Sequence, residues 1–264
     1  MKPQLPFRLG STSRVYPADI VPNVRRLAAL VDDVELVLFE VNEQSQLPSP
    51  TVVAELEALA RMHNLTYTVH LPLDLRLAAR DDGRRHSSMD KARRAVQATL
   101  RLIPWAYVIH LDGPVFRAGG APAGLARWHD RAVRSLEMIG REAGDPRLLA
   151  VENLEHYDPR IILPLLDELP VGLCVDVGHF LNRGEEALPY LQAHLERTRV
   201  IHVHGFSDGH DHRGLDLIPD GLLTRMLDLL LADHYHGVLT VEVFTERHFS
   251  PGRDLILTLM KERV

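Results

Sequence analysis

Fifteen histidines occur among 264 residues, and several stand at the ends of apolar runs instead of being scattered. One run closes on His70 (TYTVHLP), the next on His110 (WAYVIHLDG), and a third on Glu152 (LLAVENLEH). Another closes on Asp176 with His179 just behind it (GLCVDVGHF); two more carry His204 (RVIHVHGFSD) and Glu242 (GVLTVEVF). An earlier run, VELVLFE, closes on Glu40. Neutral imidazoles and carboxylates are the donors that zinc, manganese and iron(II) accept. Taken from water together they are expensive unless a proton or a cation satisfies them. Any one of these residues alone reads as a satisfied core or surface side chain, and only their shared position points to metal chemistry. The segment HGFSDGHDHRGL adds His210, Asp211 and His212. His202 lies two residues before His204, so strand alternation puts it on the same face one layer deeper, as a supporting residue behind His204.

The elements that must position these groups follow from the same runs. Short β-branched stretches alternate with longer stretches of helical period, the pattern of βα units. The spacing predicts strands at 7–10, 34–40, 66–71, 106–111, 148–152, 171–176, 200–204 and 238–244, with helices at 51–63, 91–101, 124–142, 185–197 and 222–233. Gly and Pro residues such as Pro72, Pro104 and Gly113 punctuate the junctions, and no linker divides the chain. The expectation is a single (β/α)8 TIM-barrel domain over residues 1–264, with its metal site where the strands' C-terminal ends meet one rim. An open doubly wound sheet is the structural alternative. The polar stretch at 79–90 (ARDDGRRHSSMD) reads as a mobile lid or an exposed loop.

Composition narrows the function. The formal net charge of −6 argues against a protein that lives on nucleic acid, which needs a basic face. A single cysteine, Cys174, excludes internal disulfides and a cysteine-built zinc cage. No apolar run has the length of a signal peptide or a membrane span, so a cytoplasmic location and no membrane partner are expected.

These motifs, in this order, resemble the xylose isomerase-like barrels, which include AP endonucleases and ketose epimerases, over essentially the whole chain. The resemblance implies two or three divalent ions, zinc, manganese or iron. One would be held by His70, His110 and a bridging Glu152, and a second by Glu152 with Asp176, His204 and Glu242. A third would be held by His179 and an Asp-x-His pair. This chain departs from the family at that pair: it offers Asp208 with His210, or the adjacent Asp211 and His212, and the following Leu215 favours the latter. Within the family, VDDVELVLFE, HLPLDL and the His-x-His-Gly turn look like the cobamide-remodelling phosphodiesterases. That resemblance implies hydrolysis of the nucleotide loop of a corrinoid, with Glu152 and Glu242 as the catalytic carboxylates. Arg14, Arg213 and Glu40 are candidates to hold the substrate, and Arg76, Arg84 and Arg85 are further cations that follow the third strand.

Two other functions fit the same residues. A sugar isomerase or 3-epimerase would need one ion on Glu152, Asp176, His204 and Glu242, with the glutamates moving protons beside a carbonyl. A non-catalytic corrinoid- or sugar-binding protein would close its metal shell against water.

Overall fold

The computed structural model describes residues 2, 4–41, 44–111 and 122–263; Gly113 lies outside them. Eight strands close into a barrel: β1 (Arg8–Thr12), β2 (Asp33–Val37), β3 (Thr66–His70), β4 (Ala106–His110), β5 (Leu149–Glu152), β6 (Gly172–Asp176), β7 (Thr198–Val203) and β8 (Val238–Val241). They stand in chain order, with β8 returning to β1. The helices are α1 (Ile20–Leu27), α2 (Pro50–His63), α3 (Asp82–Thr99), α4 (Pro122–Glu142), α5 (Leu163–Glu168), α6 (Val177–Arg183), α7 (Ala187–His194), α8 (Leu222–Ala232) and α9 (Glu246–Lys261). Strands such as AYVIH and GLCVD are apolar almost throughout, as parallel strands covered on both faces must be. By internal packing the chain divides into two compact units.

The first unit comprises Met1–Leu36, Ala58–Thr66 and Val175–Val264. Here β1 runs parallel between β2 and β8, and β8 pairs in turn with β7, setting Thr240 beside His202. The loop leaving β1 is tied down by Asn23, fully buried on α1. Its Oδ1 accepts the Tyr16 amide at 2.8 Å, and its Nδ2 is shared among the carbonyls of Tyr16, Ala18 and Asp19. Strand β8 is shorter than predicted, so Glu242 stands just beyond it, where its amide still donates to the Val203 carbonyl at 3.1 Å. After β7 the chain turns into an antiparallel ribbon of Gly205–Ser207 against His210–Arg213. Asp208 and Gly209 form its turn with φ of 52° and 74°, the left-handed pair that a two-residue type I′ hairpin requires.

The second unit comprises Val37–Glu57 and Tyr67–Cys174. Here β3, β4, β5 and β6 pair in parallel, with His110 in register with Glu152. Two expectations fail in this unit. The run predicted as strand 34–40 leaves the barrel after Val37, and Glu40–Val41 forms a small ribbon with Gln44–Ser45. The 79–90 segment is no lid: α3 begins at Asp82, capped by the Asp81 carboxylate, which accepts the Arg84 amide at 2.7 Å. The chain before it is pinned to both neighbouring helices. Ser88 Oγ accepts the Arg76 amide, Ser135 donates to the Leu77 carbonyl, and Arg131 donates to that of Ala78. Polar residues read as solvated loop are here capping and bridging groups.

Asn23→Ala leaves buried backbone groups of the β1–α1 loop without partners, and such groups cost about 2–3 kcal/mol in stability. Urea unfolding should show that loss as a lower midpoint with unchanged slope. A midpoint equal to that of the parent would mean that the side chain does not hold the loop.

Candidate metal centre

In the second unit, two imidazoles meet one carboxylate oxygen. His70 Nε2 lies 3.2 Å and His110 Nε2 2.9 Å from Glu152 Oε2. The rings stand edge to face, with centroids 4.8 Å apart. His70 Nδ1 is 2.8 Å from the Leu71 carbonyl, which can only accept, so Nδ1 carries the proton. When the ring is neutral, Nε2 aims a lone pair at a carboxylate oxygen. A proton or a cation between them turns that repulsion into attraction.

In the first unit a larger group surrounds Asp176 and Glu242, both buried. Asp176 caps α6: its Oδ1 accepts the His179 amide at 2.7 Å. Its oxygens lie 3.5 Å from His179 Nδ1, 3.7 Å from His202 Nδ1 and 3.3 Å from His204 Nε2. Glu242 Oε2 lies 3.2 Å from His202 Nδ1, 3.4 Å from His212 Nε2 and 3.9 Å from His204 Nε2. Most of these separations exceed a good hydrogen bond. Four of the six, at 3.2–3.5 Å, come close to the edges of a coordination polyhedron, since donors about 2.0–2.1 Å from a tetrahedral zinc stand about 3.3–3.4 Å apart. The residues present therefore fit a divalent cation.

The far sides of the rings support that fit, because metal-binding imidazoles hold their other nitrogen on an acceptor. His202 Nε2 is 2.8 Å from Glu35 Oε2, and His212 Nδ1 is 2.9 Å from Asp211 Oδ1. His204 Nδ1 sits between the His212 amide at 2.9 Å and the Gly205 carbonyl at 3.1 Å. The amide needs a lone pair and the carbonyl a proton, so His204 has a partner for either tautomer. Its ring stacks on His212 with centroids 4.4 Å apart, and His179 stands edge-on to both. Gly178 makes this possible: a Cβ there would lie 2.1 Å from the His204 ring.

Charge is distributed accordingly in the metal-free protein. Burial alone would raise the Asp176 carboxyl, but the surrounding imidazoles of His179, His204 and His202 bring it down to about 2. Burial likewise opposes ionisation of Glu242, and His202 and His212 overcome it, holding that carboxyl well below the usual range. His212 would be lowered by burial, yet Glu242 and Asp211 push it up to about 11. The hydrogen bond from His212 in turn lowers Asp211.

Several residues stand elsewhere than expected. His202 does not sit behind His204: both imidazoles reach the same two carboxylates, because Glu35 takes the rear nitrogen of His202. Asp211 stands on the rear of the His212 ring. His212 comes to Glu242, whereas His210 is exposed and Asp208 occupies the hairpin turn. Glu40 leaves the barrel with its ribbon, and its carboxylate pairs with Arg94 at 2.7 Å. Arg14, which follows β1, is half-buried, and desolvation lowers its pKa against the pull of Asp19. Arg213 pairs with Gly205 on the ribbon and is half-exposed. Of the other predicted cations, Arg76 donates to the Leu75 carbonyl and Arg85 pairs with Asp82. Two contacts went unread in the sequence: Glu35 within VELV, and Phe244, which packs on His212 with ring centroids 4.8 Å apart.

A family model described as "Xylose isomerase-like TIM barrel" matches residues 24–261. No curated protein matches the sequence. Among solved structures, a D-tagatose 3-epimerase-like protein superposes with a TM-score of 0.77 at 18% identity, covering 97% of this chain and 98% of that one. The 3-keto-D-glucoside 4-epimerase YcjR from E. coli gives 0.72 at 18%, covering 97% and 99%. Endonuclease IV from Thermus thermophilus gives 0.70 at 19%, also covering 97% and 99%. At these identities the likeness is one of fold. No helix among the described residues is long and apolar enough to cross a membrane.

Two outcomes test the geometry. Gly178→Ala must push the His204 ring aside, and should weaken divalent-metal binding about tenfold or more, as loss of a supporting contact does. Its circular dichroism should stay that of the parent; unchanged metal affinity would show that His204 has room to spare. His212, charged at neutral pH, must give up a proton before Nε2 can take a cation. Zinc affinity should therefore rise with pH, about tenfold per unit for each displaced proton. Calorimetry in buffers of different ionisation enthalpy measures the protons released, and none released would remove His212 from the ligands.

Proposed function

The chain belongs to the xylose isomerase-like TIM barrel family, and from that premise we propose that it is a divalent-metal-dependent phosphodiesterase acting on the nucleotide loop of cobamides. The number of imidazoles carries the hydrolase reading. His70 and His110 share Glu152, while His179, His202, His204 and His212 crowd Asp176 and Glu242. That inventory exceeds the four or so protein donors of one ion and suits two or three. Bound divalent ions supply charge for the phosphate oxygens and acidify water at neutral pH.

The chain's own residues do the rest. We assign His70, His110 and Glu152 to one ligand set, and Asp176, His202 and Glu242 to another. His179, His204 and His212 form the third, with Asp211 orienting His212. Glu152 would be the carboxylate ligand of the first set, and Glu242 would complete the second and orient the attacking water. Arg14 and Arg213 are the cations proposed to hold phosphate, which guanidinium groups match through paired donors. The corrinoid as substrate rests on the segments VDDVELVLFE and HLPLDL and on the His202–Gly205 turn.

A sugar 3-epimerase is the second reading. It draws on the acidic set of Glu152, Asp176 and Glu242 with one histidine, and on the epimerases that share this fold. It leaves His70 and His110 together, and the imidazoles beside Glu242, without a shared purpose. Elemental analysis should find two or three ions per chain, and incubation with adenosylcobalamin should release a corrinoid lacking its nucleotide base, read by mass. One ion per chain with turnover of a ketose would replace this reading by the epimerase. Glu152→Gln should abolish turnover by removing an anionic ligand of the ions that activate water, while the metal-free protein melts nearly as the parent does. Normal activity would remove Glu152 from the centre.

A further inference from the structure

Glu35 is a fully buried carboxylate in the middle of β2. It stands in register with Thr12 of β1, and its carbonyl accepts the Ser13 amide at 2.8 Å, so its backbone is fixed by the barrel. Its Oε2 lies 2.8 Å from His202 Nε2, and its Oε1 has no hydrogen-bond partner among the described residues. A buried carboxylate with one polar partner is costly, and an apolar side chain of that volume would pack at least as well. What Glu35 provides is direction. The carboxylate at Nε2 selects the ring orientation in which Nδ1 lies on the opposite side, 3.2 Å from Glu242 and 3.7 Å from Asp176.

We infer that Glu35 is a positioning residue: it holds the Nε2 proton of His202 so that the Nδ1 lone pair is the one offered to the cation between Asp176 and Glu242. This rests on the metal reading above. The carboxylate behind the ring also makes Nδ1 a stronger donor, since a partner on the rear nitrogen raises ligand basicity.

The test is zinc binding by competitive chelation in the full chain, for the parent, Glu35→Gln and Glu35→Ala. Glu35→Ala should lose about 10–100-fold in affinity at one class of site. Glu35→Gln, whose amide oxygen still accepts from Nε2, should recover much of that loss. In zinc-loaded parent protein labelled with 15N-histidine, His202 should show a metallated Nδ1 and a slowly exchanging proton on Nε2. Equal affinity in all three proteins overturns the inference and leaves the metal reading standing, whereas a parent that binds no zinc removes both. Should Glu35→Ala fail to fold, the parent spectrum decides: metal on Nε2 of His202, or a protonated Nδ1 in the loaded protein, overturns the assignment.

Discussion

Everything at the functional end of this barrel depends on how charge is satisfied out of water. Glu35, Glu152, Asp176 and Glu242 are all buried, and each is met by imidazole. A neutral imidazole with its lone pair turned towards a carboxylate does not compensate that charge; only a proton or a cation does. In the metal-free chain Glu242 and Asp211 push the His212 pKa up to about 11, so that ring keeps its proton. A divalent cation would accept both kinds of donor at once. Most contacts around Glu242 and Asp176 are too long for good hydrogen bonds, a spacing that would suit a divalent cation better than a proton.

The backbone that achieves this is local and economical. Strands β3, β4, β5 and β6 end on their functional residue, so the register that pairs His110 with Glu152 also sets the side chains together. The end of β7 does double service: alternation sends His202 and His204 inward, and the Asp208–Gly209 turn folds the chain back so that the His212 amide meets His204. Asp176 both caps α6 and faces the imidazoles, so its position is fixed by the start of a helix as well as by the end of a strand. Packing takes part too. His204 lies where any side chain on Gly178 would stand.

Most of this was legible because a parallel barrel writes its strands as apolar runs and its chemistry as the polar residue that ends each run. His70, His110, Glu152 and Asp176 were found on that rule, and the closed barrel followed from the alternation of runs and helical stretches. The same rule misled at VELVLFE. It pointed to Glu40, the last polar residue, whereas the strand stops at Val37 and the acid that faces the interior is Glu35, in mid-strand. Nothing in one sequence distinguishes an inward glutamate from an outward one until its partner, His202, is known. The start of α3 was missed for a related reason. Its first turns are polar, and its cap at Asp81 and its bridge at Ser88 act through backbone contacts that have no periodicity to read.

Fold alone leaves the reaction open, since epimerases and an endonuclease share this barrel at under a fifth identity, and function resides in sites carried on folds. The discriminating feature is the ratio of imidazole to carboxylate. Proton shuttling beside a carbonyl calls for carboxylates that alternate between acid and base, and each added imidazole–carboxylate contact holds them ionised. Asp176 and Glu242 are held well below the ordinary carboxylate range by four surrounding histidines. Held ionised in this way, such carboxylates are good anionic ligands. A site that gathers so many imidazoles around buried carboxylates would suit clustered cations and the negative charge of a phosphoester, and that is the ground on which we propose hydrolysis.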